Sequence, residues 1–139
     1  MSAYKGVRIA DFTQGVAGPM ACMLLGDFEA EVVKVEPPGG DRMRAHPGYP
    51  AWNRNKRIVS LDLSDPSDLE AARRLARSAD IAVFDHPPGD LEALGLDAAT
   101  LREGAPHLIH VWMPPYGTRG RWSRMPARHS LLAAASGIA

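Results

Sequence analysis

Residues 7–35 run from a β-rich stretch through a glycine turn and a helix start into a second β-rich stretch, an order that leaves few folds open. Val7-Arg8-Ile9-Ala10-Asp11-Phe12 gives way to Gln14-Gly15-Val16-Ala17-Gly18-Pro19. Pro19 fixes φ where the first turn of a helix tolerates it, so the pattern predicts a helix from about Pro19 to Phe28. Glu31 to Val35 alternates charge with valine until Pro37-Pro38-Gly39-Gly40 stops it, which predicts a second strand. Strand, helix, strand implies a parallel pair and places backbone N–H groups at a helix N-terminus, where they can hold a phosphate or a carbonyl oxygen.

The same alternation continues downstream. Residues 37–55 carry glycine, proline, arginine and aromatics without periodicity, and a loop of that length inside a compact domain tends to be functional or mobile. Ile58 to Leu63 reads as a third strand. Asp65-Pro66 with Asp68 opens a helix whose Leu69, Ala72, Leu75, Ala76 and Ala79 recur at helical spacing and should pack on the sheet. Ile81-Ala82-Val83-Phe84 is the short apolar run of a strand covered on both faces. A loop from Asp85 to Asp90, a short helix from Ala98 to Glu103, a strand from Leu108 to Met113, a loop to Ala127 and a helix restart at Ser130 to Ala135 complete the reading. The fold class is α/β, a Rossmann-like parallel sheet flanked by helices.

Sixteen basic and sixteen acidic residues cancel, so no bulk field favours nucleic acid or an acidic membrane surface, and any anion site must be local. The single cysteine, Cys22, fits a reducing compartment and sits among apolar neighbours, as an inert packed thiol does. The N-terminus lacks the apolar run of a signal peptide, and no apolar run approaches the roughly 18 residues of a membrane span. The expected setting is cytoplasmic. The chain stops at Ala139 directly after a helix-forming run, so the expectation is one domain over residues 1–139, incomplete at its C-terminal end.

If the strands are parallel, the loops after Phe12, Val35, Phe84 and Met113 share one edge of the sheet, the edge at which open α/β sheets bind ligands. Gln14, Gly15, Val16, Ala17 and Gly18 offer a side-chain amide and unobstructed N–H groups there, although a plain βα turn would use the same glycines. Arg42, Arg44, Arg54, Lys56 and Arg57 crowd into sixteen positions and can grip phosphates, or form a solvated basic loop partly neutralised by Glu36, Asp41 and Asp62. Arg119, Arg121 and Arg124 alternate with Gly120, Trp122 and Met125, as a stacking surface or an exposed turn would. Asp85-His86 stands at the rim after a buried strand, in reach of a substrate or simply hydrated. No metal set is visible: His107 and His110 are three apart at a strand entry, with no third ligand near them in sequence.

The glycine turn, Glu31-Val32-Val33-Lys34-Val35-Glu36-Pro37, Asn53-Arg54-Asn55-Lys56-Arg57, Pro88-Gly89, Leu94-Gly95-Leu96, Pro106-His107-Leu108-Ile109, Tyr116-Gly117-Thr118-Arg119-Gly120 and Ser136-Gly137 follow one another as in the family III coenzyme A-transferases. The chain resembles the N-terminal portion of their Rossmann-like large domain over nearly its whole length. That resemblance implies coenzyme A or an acyl-CoA as substrate, a carboxylic acid as the other partner, no metal, and two subunits interlocked like chain links, either a homodimer or a partner chain of the same family. It implies CoA transfer through an aspartyl intermediate, formed by an aspartate that lies beyond the equivalent of Ser136-Gly137, so no catalytic residue is assigned here.

Carried over position by position, the resemblance places Val16 and Ala17 where the family meets the nucleotide or the glycine-rich rim, and Leu61 where an apolar side chain packs on adenine. With Gln14, Arg42, Arg44, Lys56, Asp85 and His86 these form the expected cofactor-binding set. The sequence departs from the family's pattern at Pro37, Ser64, Ala93 and Ala127, where basic residues are usual, and at Asp85-His86, where Asn-Phe is usual. Two alternatives stay open: a noncatalytic family half that serves as scaffold or partner-binding module, and an acyl-CoA racemase, which uses an acid and a base about the α-carbon.

Overall fold

The computed structural model describes residues 2–126 and 129–138. Five parallel strands, β1 (Arg8–Asp11), β2 (Glu31–Glu36), β3 (Lys56–Ser60), β4 (Ile81–Phe84) and β5 (Ile109–Trp112), form one sheet in the order β3-β2-β1-β4-β5. Ala10 at its centre is paired with Val33 on one side and Ala82 on the other. This is the Rossmann-like parallel sheet that the alternating pattern predicts.

Period-two alternation splits the central strands between two cores. Ala10, Phe12, Val35, Ala82 and Phe84 face one cluster, which is closed by Ala72, Ala76 and Ala79 of α3 (Pro66–Ser78), Leu91 of α4 (Asp90–Leu94) and Leu101 of α5 (Ala98–Gly104). Ile9, Val32 and Val83 face the other, closed by Cys22 of α1 (Ala17–Asp27). The Leu69-to-Ala79 stripe of α3 therefore packs on the sheet as its spacing demands, and Phe12 and Phe84 stack at 4.8 Å between ring centroids. Asp65 caps α3, accepting from the N–H groups of Ser67 and Asp68.

Boundaries differ from the sequence expectation for identifiable reasons. Helix α1 begins at Ala17, because Pro19 is compatible with the first turn rather than marking its first residue. Strand β3 starts at Lys56 and ends at Ser60, two residues earlier at its start than the apolar run suggests, since pairing with β2 sets its register and not hydropathy. The 37–55 loop contains a short helix, α2 (Tyr49–Trp52), and the stretch after Asp85 contains α4, both too brief to show periodicity. Helix α6 (His129–Ser136) ends the described chain. Among the described residues no helix is long and apolar enough to cross a membrane.

Candidate functional site

The strand order reverses between β1 and β4, so the helix that follows β1 covers one face of the sheet and those that follow β4 cover the other. Their loops diverge at the carboxyl ends of the strands, which opens a crevice at the topological switch point. A cleft of about 610 Å³ occupies it, lined by Gln14 to Gly18 after β1, Arg42 and Met43 after β2, Asp85 after β4, Met113 and Pro115 after β5, and Pro126, Ser130 and Leu132 further on. Loops after β1, β2, β4 and β5 thus meet at one edge, the four that the parallel reading brought together.

The first loop is held from both sides. Gln14 N–H donates to Asp85 Oδ2 at 2.9 Å, and Gly15 N–H donates to Asp41 Oδ1 at 3.4 Å. Gly15 has φ of +86°, a left-handed conformation in which a Cβ is strained, and that Cβ would lie 3.3 Å from Arg42 Nη2. At Gly18 a Cβ would fall 2.3 Å from Thr13 Oγ1, so only glycine lets the start of α1 close on the buried Thr13.

Beneath this loop lies a layer of buried charge. Lys34 Nζ pairs with Asp41 Oδ2 at 3.1 Å and donates to the Thr13 carbonyl at 2.6 Å, both side chains being fully buried. Lys56 Nζ pairs with Asp11 Oδ2 at 2.8 Å and also donates to the Pro19 carbonyl and to Asn53 Oδ1. Glu36 accepts from Arg44 Nη2 at 2.6 Å, from the backbone N–H of Asp41 and from the Tyr49 hydroxyl. Burial and the Glu36 charge push the Tyr49 hydroxyl up to about 12, and burial draws Lys56 below its ordinary range against the pull of Asp11. Burial likewise raises the Cys22 thiol to about 12, which makes it a packed, unreactive group.

Of the residues expected at the site, Gln14, Val16, Ala17, Arg42 and Asp85 line the cleft. Lys56 does not: its ammonium has no exposure and three protein partners, and it fixes α1 to β3. Arg44 is drawn onto Glu36 outside the cleft lining, and Leu61 packs half-buried against the Phe84 side of the core. His86 lies behind the rim, edge-on to Phe84 at 6.3 Å, and its buried Nδ1 has no partner among the described residues. Pro37, Ser64 and Ala93 are outside the lining, and Ala127 lies outside the described residues.

Burial raises the Asp85 carboxyl above its ordinary range, against the Gln14 N–H and the charges of His86 and Arg42. Burial also lowers His86, against the pull of the Asp85 and Asp90 charges. Sequence reading missed Met43, Met113 and Pro115 as lining and Lys34 and Asp41 as the support of the loop. A lysine in mid-strand followed by an aspartate after a glycine pair was the available signal. Among the described residues no group of three or more His, Cys, Asp or Glu is placed to hold a metal ion.

Comparison with known proteins gives a consistent picture. The family model described as CoA-transferase family III matches residues 4–139. The CoA-transferase/lyase DddD of a Marinomonas species is 39% identical over 95% of this chain and 16% of its own length. Human succinyl-CoA:glutarate CoA-transferase is 37% identical over 96% of this chain and 33% of its own. The crystal structure of Rv3272 from Mycobacterium tuberculosis superposes with a TM-score of 0.92 at 38% identity, covering 99% of this chain and 39% of that one. The chain thus spans a third or less of the length of these two curated relatives.

Proposed function

The chain belongs to CoA-transferase family III, and from that premise we propose that it forms the coenzyme A-binding part of an enzyme that moves coenzyme A between carboxylic acids. The cleft at the switch point carries this reading. It is built from the loops after four parallel strands, is mostly apolar, and presents a few fixed polar groups, which is the form of a site for a carbon chain with a polar end. In this reading Gln14, Val16, Ala17, Arg42 and Asp85 contact the acyl-CoA, with Leu61 and His86 supporting the rim. Transfer proceeds through an aspartyl intermediate whose carboxylate comes from outside these residues: it attacks the thioester carbonyl and expels the coenzyme A thiolate, which attacks the aspartyl carbonyl of the mixed anhydride and releases the donor acid. The acceptor carboxylate then attacks the aspartyl thioester, and the thiolate it expels attacks the acceptor's carbonyl in the new anhydride, which frees the aspartate.

We propose further that the working assembly pairs this chain with a second chain of the same family. Met20 and Leu24 of α1 and Phe28, which caps its C-terminal end, recur every four residues and are all exposed, an uncovered stripe on a helix that already buries its opposite face. The setting proposed is cytoplasmic.

Calorimetric titration with coenzyme A tests the binding claim, and Val16→Trp, which fills the cleft, should abolish the heat. In the assembled enzyme that supplies the aspartate, exchange of labelled acid into acyl-CoA then marks a transferase, whereas solvent deuterium entering the α-carbon without acid exchange marks a racemase. Absence of coenzyme A binding by the wild type would favour a noncatalytic partner half. That second reading draws on one observation, that Lys34, Arg44 and Lys56 are all paired inside the protein.

A further inference from the structure

We infer that Arg42 selects the acyl group, by pairing with a carboxylate at its far end, and does not serve the phosphates of coenzyme A. The inference rests on the coenzyme A reading above. Its first support is availability. Arg44, Arg54 and Arg57 face Glu36, Asp27 and Glu31, whereas Arg42 has no ion-pair or hydrogen-bond partner among the described residues and stands in the wall of the cleft.

Its second support is placement. The Arg42 guanidinium lies against the β1 loop, with Nη2 3.3 Å from the point a Cβ on Gly15 would occupy. Gly15, fixed at φ of +86° and tied to Asp41, gives the guanidinium a flat backbone surface to rest on. A planar fork held in this way matches a carboxylate with two parallel bonds.

The third support is charge. Asp85 faces the same cleft, and its Oδ2 already accepts from Gln14 N–H, so it is positioned by the loop. One arginine and one carboxylate leave the described lining with no net formal charge. Such a lining suits a short apolar carbon chain that ends in one carboxylate, with Arg42 receiving that end.

Titration of the full chain with succinyl-CoA and with butyryl-CoA tests this, because the two thioesters share a four-carbon acyl length and the same nucleotide and differ in the terminal carboxylate. The wild type should bind succinyl-CoA about tenfold more tightly, the worth of one modest charge-assisted bond. Arg42→Gln should reduce that ratio to below about twofold by weakening succinyl-CoA, with butyryl-CoA shifted less than about twofold. Arg42→Lys, which keeps the charge and loses the fork, should fall between them and guards against a fold effect of the first variant. Equal binding of both thioesters by the wild type overturns the inference and leaves the coenzyme A reading intact. Equal weakening of both by Arg42→Gln, with unchanged circular dichroism, places Arg42 on the phosphates and overturns it too. Binding of neither thioester overturns the coenzyme A reading itself.

Discussion

The β1–β2–β3 half of the sheet and the β4–β5 half share one fold and one rim, yet they treat polar groups in opposite ways. Under the first, two lysines are buried in pairs with carboxylates, Asp11 with Lys56 and Asp41 with Lys34, and the buried Glu36 accepts from Tyr49 and from an exposed Arg44. The second is closed by Val83, Phe84, Leu91, Leu96 and Leu101, with Asp85 and His86 as the polar pair at its edge. The difference teaches that a run of cations in a sequence does not mark the ligand's side. On the crowded half nearly every cation holds the loops in place, and the wall of the cleft receives one of them, Arg42.

The sharpest way to break this comparison is Lys56→Met. Removing one member of a buried pair strands Asp11, and the loss should be about 3–5 kcal/mol by urea denaturation. Converting Asp11 to Asn as well, which removes the stranded charge and keeps an oxygen for the Thr13 N–H and hydroxyl, should recover part of it, and a single-variant loss below about 1 kcal/mol would mean that the pair is well hydrated. Arg42→Gln, across the same loop, should leave the urea midpoint unchanged, which separates the cation of the cleft from those of the framework.

Tyr49→Phe comes next. It removes one donor from the buried Glu36 while the Asp41 N–H and Arg44 remain, so about 1–2 kcal/mol is expected. With its hydroxyl at about 12, Tyr49 should contribute no tyrosinate absorbance at pH 10.5 while the protein stays folded.

On the other half the effect is smaller and depends on pH. The folded Asp85 carboxyl titrates above its unfolded value, so the folded state holds the extra proton and its contribution is fully present below the ordinary carboxylate range. That contribution is lost as pH rises through the raised folded value. Stability of the wild type relative to Asp85→Asn, which keeps an oxygen for the Gln14 N–H, should therefore fall as pH rises above about 4, the ordinary carboxylate value. A flat difference would mean that Arg42 and His86 cancel the cost of burial. The smallest signal is chemical: Cys22, with its thiol at about 12 and no exposure, should resist alkylation at pH 8.5 until the protein is unfolded.

Much of the fold was legible because its signals are local. Pro19 and the glycines of the first loop announce a strand-to-helix turn, Asp65 announces a cap, and the run Ile81 to Phe84 announces a strand covered on both faces. The site was legible in part. Gln14, Val16, Ala17, Arg42 and Asp85 were found because they follow strands, whereas Met43, Met113 and Pro115 enter the lining through topology alone. Lys56 stands outside the lining, because its ammonium reaches Asp11, forty-five residues away, and nothing along the chain shows that contact.

The sequence by itself determined the alternation of strands and helices, the parallel connection of the first two strands and the glycine turn at the head of α1, since each depends on backbone preferences within a few residues. Tertiary structure alone decided which charges are buried in pairs and which two, Arg42 and Asp85, face the cleft. Pairing depends on distances of about 3 Å between residues remote in sequence, and burial turns a formal charge into either a fastening or a cost.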